Sequence, residues 1–296
     1  MKNIAVGIGE ALWDVLPEGR KIGGAPANFA YHVGQFGLPS YVVSAVGNDE
    51  LGREIVARFE EKGLRYILPV VAEPTGTVEV ELDGAGVPRY DIKEDVAWDN
   101  IPVTPELEEL AQEVRAVCFG SLAQRSEVSR NTIRRFLEAV PRREDTLIVF
   151  DVNLRQHFYS HEILEESMQL CNILKINDEE LVTVSDMFGL NDKGGADDRE
   201  ICRRLVRDYG LKALILTCGV NGSYVFTPEE ESFMPTPKVI VADTVGAGDS
   251  FTAAFVSGLL RGFSVREAHE LAVATSAFVC SQDGAMPVLP DNLLRK

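Results

Sequence analysis

Phe29-Ala-Tyr-His-Val33-Gly-Gln-Phe36-Gly37-Leu-Pro-Ser-Tyr41-Val-Val-Ser-Ala-Val46 puts a helical face, a stop and an apolar run in immediate succession. Phe29, Val33 and Phe36 recur at helical spacing, Gly37 is a C-terminal helix signal, and Tyr41 to Val46 predicts a strand. Upstream, the apolar run Ile4 to Ile8 predicts another strand. Downstream, Leu51, Ile55 and Phe59 form a second helical face, closed by Gly63. Strand, helix, strand and helix in turn predict a parallel sheet covered by helices.

The rhythm breaks between Glu73 and Ile101. Thr77, Val78, Val80 and Leu82 lead into Asp83-Gly84-Ala85-Gly86, and a second extended stretch runs through Tyr90 and Ile92, which is a hairpin signal. Because it interrupts a regular series, it is expected to be a small β lid formed by about 73–101, with a contribution from 10–24. Alternation resumes at Thr104-Pro105, an N-cap with proline at the first helical position, and continues through Val114 to Phe119, Ile133 to Leu137 and Thr146 to Phe150. Further strands are expected at Asn172 to Ile176 and Ala213 to Thr217. Two helices end the chain: one from about Gly248 with Phe251, Phe255 and Leu259 on one face, and one opened by the capping box Ser264-x-x-Glu267. With no repeat, low-complexity segment or interdomain linker, the expected fold is a single α/β domain over residues 1–296, a doubly wound, mostly parallel sheet flanked by helices.

Hydrophobic residues make up 45% and charged residues 25% of the 296, the balance of a folded globular chain. A formal charge of -17 without any basic run argues against nucleic acid and anionic membrane partners. Met1 to Gly9 is too short for a signal-peptide core, and no apolar run approaches the roughly 20 residues of a membrane span, so the cytoplasm is the expected compartment. Five scattered cysteines without a C-x-x-C pair predict buried reduced thiols, and the four histidines form no metal-ligand pattern.

The strongest chemical signal is Asp243-Thr-Val-Gly246-Ala247-Gly248-Asp249-Ser-Phe251, between a strand and an amphipathic helix. Glycines at 246 and 248 let backbone approach a ligand, and the first helical turn offers unpaired N–H groups and partial positive charge, which is an anion site. An isolated Asp there could serve only as a favourable helix N-terminal charge. A second motif, Gly23-Gly24-Ala25-Pro26-Ala27-Asn28, stands directly before the first helix. No G-x-x-x-x-G-K-[ST] loop occurs, so phosphates must be held another way.

Together these two motifs resemble the signatures of the ribokinase-like carbohydrate kinases. The likeness runs along almost the whole chain through Glu10-Ala-Leu-Trp-Asp14, Asp151-Val-Asn-Leu-Arg155, Asn177-Asp-Glu-Glu180 and Thr217-Cys-Gly219-Val-Asn221-Gly222, and its wording is closest to fructokinases. Val152 departs from their usual proline, and Cys218 from a frequent leucine. The resemblance implies transfer of the γ-phosphate of ATP, with Mg2+, to a sugar hydroxyl. Asp249 would be the base, and the amides of Ala247, Gly248 and Asp249 the anion hole; Asp249 would need no raised pKa. Asp14, Gly23, Gly24, Asn28 and Arg155 would contact the sugar, and Asn177, Thr217, Gly219, Asn221, Gly222, Gly246 and Gly248 the nucleotide, with Ala272 to Ser276 flanking adenine. Glu180 and Asn177 would place Mg2+ through water, and Asp243 would lie beside a monovalent cation, K+. A homodimer through the lid is also implied, since exposed lid strands would otherwise be an unprotected edge.

D-fructose is the expected substrate. Ribose, 2-keto-3-deoxygluconate and nucleosides remain alternatives within the same motifs; a phosphorylated sugar would want cations that Gly23 to Asn28 do not supply. A non-catalytic sugar-binding regulator on the same fold is disfavoured by the intact Asp249 and glycine pair. A Rossmann dehydrogenase is disfavoured because Gly7-x-Gly9 is followed by Leu12 instead of a third glycine.

Overall fold

The structure is a computed structural model that describes residues 3–16, 19–82, 88–190 and 197–295. Among these, nine strands form the main sheet, in the spatial order Glu231–Met234, Ser223–Phe226, Ala213–Thr217, Ile173–Asn177, Leu147–Asp151, Val114–Gly120, Ile4–Ile8, Ser40–Val43 and Arg65–Ile67. Every pairing from Ala213–Thr217 to Arg65–Ile67 is parallel. Their side chains are mostly buried, as they must be where helices cover both faces. From Ile4–Ile8 the chain winds outward through Ser40–Val43 and Arg65–Ile67, then returns to Val114–Gly120 on the other side. That reversal opens a crevice beyond the C-terminal ends of Ile4–Ile8 and Val114–Gly120, the place where open α/β sheets bind ligands.

Local signals act where expected. Helices Ala25–Gln35 and Glu50–Glu61 are followed by Gly37 and Gly63 in the left-handed region. Thr104 caps Pro105–Glu113 by accepting from the Leu107 amide, and Ser264 and Glu267 form the reciprocal box that starts Val265–Cys280. That helix packs on Ala247–Leu260 so tightly that a Cβ on Gly258 would lie 3.0 Å from Ala268 Cβ.

The sequence reading did not foresee the antiparallel hairpin Ser223–Phe226 with Glu231–Met234 at the sheet edge. Its strands are four residues each, too short to show periodicity. Buried His269 secures it: one ring nitrogen bonds Ser223 Oγ at 2.8 Å and the other Ser232 Oγ at 2.9 Å. Cys118, Cys171 and Cys202 are buried free thiols, while Cys218 and Cys280 are only half-buried.

A second sheet of four strands, in the order Gly19–Gly23, Leu12–Leu16, Gly76–Leu82 and Pro88–Ile92, stands apart from the main one. Residues 83–86, expected as its turn, lie outside the described residues. After Ile92 the chain leaves this sheet. Ala97–Asn100 is a 3-10 turn that buries Trp98 in the main core, because Arg125 fixes it: Nε and Nη2 donate to Asp99 at 2.8 Å each, and the guanidinium lies 4.0 Å over the Trp98 ring. Residues 93–101 thus anchor the insertion. Among the described residues no helix is long and apolar enough to cross a membrane.

Candidate active site

Two helix N-termini meet in the crevice. Gly246 caps Ala247–Leu260 at φ +75°, a left-handed conformation, and a Cβ there would lie 2.5 Å from Ala285 Cβ, so only glycine fits. The Ala247 amide donates to Thr244 O at 3.3 Å, which removes it from the expected anion hole. Among the described residues, the Gly248 and Asp249 amides have no acceptor, so two donors and the helix dipole point into the crevice.

Asp249 Oδ2 accepts from Asn28 Nδ2 at 2.7 Å, joining the two sequence motifs across 221 residues. Asn28 is only 3% exposed and its Oδ1 has no donor, a buried acceptor facing the site. Gly24 leads into the Asn28 helix at φ +112°, and a Cβ there would sit 2.4 Å from Glu10 O. No side chain caps this helix.

Burial governs the acids. It pushes Asp249 up to about 6, assisted by the Asp151 charge and opposed by Asn28, Lys175 and Arg155. Asp249 would need no raised pKa to serve as a base, yet its surroundings raise it, because packing removes water that the sequence could not show was missing. Burial also raises Glu10 to about 7 and Asp14 to about 6. A base must be ionised to act, so with Asp249 in that role kcat/KM should rise with pH through an apparent value near 6 and level above it. A profile already flat at pH 5 would contradict this.

Behind the amides lies a residue that sequence reading missed. Lys175 Nζ is 3.0 Å from Asp151 Oδ1, both side chains under 10% exposed, and a Cβ on Gly248 would come within 3.1 Å of that ammonium. Burial would lower the Lys175 pKa, but Asp151, Glu180 and Asp249 hold it above its ordinary value, so the cation is retained. Its signal in the sequence was a lone charge inside the apolar strand Ile173–Asn177.

Glu180 and Asn177 form a capping box at the start of Asp178–Met187, with bonds of 2.7 and 2.9 Å, and Glu180 Oε1 also accepts from Leu154 N at 3.0 Å. Glu180 is thus a tie between two site loops. Arg155 is exposed beyond it on a loop where Asn153 and Gln156 have positive φ, and its Nη1 donates to Leu154 O. Asp14 stands opposite Lys21 in the second sheet, and a Cβ on Gly23 would meet Asp14 Oδ2 at 2.4 Å.

Thr217 pairs in register with Asn177, which brings the Gly219–Asn221 turn beside the capping box. Cys218 N to Gly222 O closes that turn at 2.9 Å, and Thr236 Oγ1 ties Gly219 O to the segment before Asp243. Of Ala272 to Ser276, expected against adenine, Ala272 and Thr275 are buried in helix packing and Val273, Ala274 and Ser276 are half-buried, whereas Val220 and Ile240 are 88% and 92% exposed on the tied loops. Asp243 accepts from Val245 N at 3.0 Å, Gly284 N at 3.2 Å and Lys21 Nζ at 3.5 Å. Its carboxylate is engaged on both oxygens. No group of three or more His, Cys, Asp or Glu among the described residues could hold a metal by itself.

The sequence pattern of the pfkB family carbohydrate kinases matches residues 18–292. A fructokinase of Klebsiella pneumoniae is 31% identical over 313 residues, covering 97% of both chains. An aminoimidazole riboside kinase of Salmonella typhimurium is 29% identical, covering 96% of this chain and 91% of that one. A sugar kinase of Pyrococcus horikoshii is 31% identical over 81% of this chain and 73% of its own. Its solved structure superimposes with a TM-score of 0.81 at 28% identity, over 99% of this chain and 97% of that one. With nearly the whole length matched, the fold is ribokinase-like and the chain belongs to the pfkB family of carbohydrate kinases, enzymes that transfer a phosphoryl group to a sugar hydroxyl.

Proposed function

We propose that the protein phosphorylates a small neutral sugar, D-fructose first among candidates, with ATP as donor and Asp249 as base. The observation that carries this reading is the 2.7 Å bond from Asn28 to Asp249 at an open helix N-terminus. It joins the amide read as orienting the sugar to the carboxylate read as proton acceptor, beside two backbone donors without an acceptor among the described residues. The attacking hydroxyl gives its proton to Asp249 as its oxygen bonds the γ-phosphorus and the bond to ADP breaks. Charge on the transferring oxygens faces the Gly248 and Asp249 amides and the Lys175 ammonium, donors in place before reaction; such a donor is worth about 3 to 4 kcal/mol in other enzymes.

Glu10, Asp14 and Asn28 supply the polar groups for sugar hydroxyls. Glu10, Asp14 and Asp249, three buried or half-buried acids, disfavour a sugar that already bears phosphate, which supports a neutral polyol. Magnesium brought with the nucleotide would neutralise phosphate charge. Glu180 and Asn177 fit that ion only through its waters, since their oxygens already accept backbone N–H groups. The exposed apolar side chains Val220 and Ile240 offer adenine a flat surface.

A coupled assay of ADP release over fructose, ribose, 2-keto-3-deoxygluconate and nucleosides tests the substrate. Fructose should give the highest kcat/KM; a tenfold advantage for another sugar would reassign the substrate within the same chemistry. We further propose that the four-stranded sheet closes over the sugar, because Asp14 and Gly23 lie on its strands and Glu10 leads into them. Fructose should then slow amide exchange across Leu12–Leu16 and Gly19–Gly23. Unchanged exchange would remove the lid. Its outer strands have unpaired edges, which supports pairing of two lids in a homodimer, checked by sedimentation.

A further inference from the structure

The monovalent cation expected beside Asp243 meets a side chain already there. Lys21, on the lid strand Gly19–Gly23, places its ammonium 2.6 Å from Asp283 Oδ1 and 3.5 Å from Asp243 Oδ2. We propose that Lys21 is the built-in cation of the loop pair that backs the anion hole, so that the protein works without a monovalent ion there.

The loops in question set the reacting geometry. Asp243 Oδ1 accepts from Val245 N and Oδ2 from Gly284 N, so one carboxylate joins the segment before Gly246 to the segment before Ala285. Those two residues are in mutual contact, where a Cβ on Gly246 would overlap Ala285. The Gly246 turn in turn aims the free amides of Gly248 and Asp249. Asp283 adds a second carboxylate to the same place, and the pair attracts a cation. Lys21 supplies it from another element, 222 residues from Asp243.

As a source of stability this pair is minor, because Lys21 is 34% and Asp283 84% exposed, and exposed ion pairs contribute little. Its consequence is positional. Lys21 also stands in cross-strand register with Asp14, so the same side chain links the sugar-facing strand of the lid to the loop behind the amides. Removing the ammonium leaves Asp243 and Asp283 facing one another, a site that a potassium ion would fill through carboxylate and carbonyl oxygens.

The inference rests on the sugar-kinase reading for its rate effects, and its test has a second readout that does not. Activity with the best sugar of the panel, and the thermal midpoint, are measured for wild type and Lys21→Met in potassium chloride and in tetramethylammonium chloride at equal ionic strength. Wild type should be indifferent in both readouts, within about twofold in kcat. Lys21→Met should lose about tenfold or more of kcat in tetramethylammonium, recover most of it in potassium, and gain a few degrees in midpoint from potassium alone. A wild type that requires potassium, or a variant that ignores it in both readouts, would overturn the proposal. Absence of turnover with every sugar, with the thermal responses as expected, would refute the substrate reading and leave Lys21 in its role.

Discussion

Replacing Asp249 by Asn should lower kcat by roughly 10²- to 10⁴-fold while the fold stays intact, because the amide fills the same space and cannot accept the hydroxyl proton. Asn28 donates to Oδ2 of Asp249, and an Asn at 249 can turn its carbonyl oxygen to the same donor. Sugar KM should move much less than kcat, since the ground-state hydrogen bond survives. Stability gives a second, independent sign. The folded pKa of Asp249, about 6, lies above its ordinary 3.8, so the native state holds the proton more tightly than the unfolded chain does. Its contribution is therefore present at low pH and is lost as pH rises through 6. The Asn variant escapes that loss and should melt no lower than wild type at pH 8. A residue serving only as a helix N-terminal charge behaves in the opposite way, with a lower midpoint, at most about 1 kcal/mol of stability lost and nearly unchanged rate. A variant that keeps more than a tenth of wild-type kcat would remove Asp249 from the mechanism.

Lys175→Met should be damaging in two separable ways. Asp151 is 4% exposed and Lys175 is its buried partner, so the variant leaves an uncompensated carboxylate in the core. Breaking such a pair costs about 3 to 5 kcal/mol, a midpoint drop of roughly 5 to 15 °C for a chain of this size. The rate should fall by about 10²- to 10³-fold, because in the proposed mechanism the ammonium behind Gly248 meets phosphoryl charge. The double variant Lys175→Met with Asp151→Asn distinguishes the two effects. With the stranded charge removed, most of the midpoint should return; the rate should not. If rate and stability recover together, Lys175 is a structural partner of Asp151 and takes no part in the chemistry.

Much of this protein was legible one segment at a time. Gly37 and Gly63 end their helices, Thr104 and Ser264 start theirs, and the parallel core follows from apolar runs separated by helical faces. The Asn28 and Asp249 motifs were legible for the same reason. Each needs a particular residue type at a fixed offset from a helix N-terminus, and that requirement is met within a few residues of chain.

Other features depend on which strands become neighbours. Lys175 looked like an oddity in an apolar strand until strand order placed it in register with Asp151, 24 residues earlier. The four residues of Ser223–Phe226 become a strand only because Ala213–Thr217 offers an edge to pair with. Two of the three expected anion-hole amides are free and the third is not, a distinction set by where the Thr244 carbonyl points.

By itself, then, the sequence determined most of the core strands and helices and the two motifs that meet in the crevice, since backbone propensity and capping act over a few residues. Tertiary structure alone decided the charges of the site: the raised carboxyls of Glu10, Asp14 and Asp249, the retained cation on Lys175 and the ammonium of Lys21 between two acids. The energy of a charge depends on how much water and which other charges surround it, and both are fixed only when distant parts of the chain pack together.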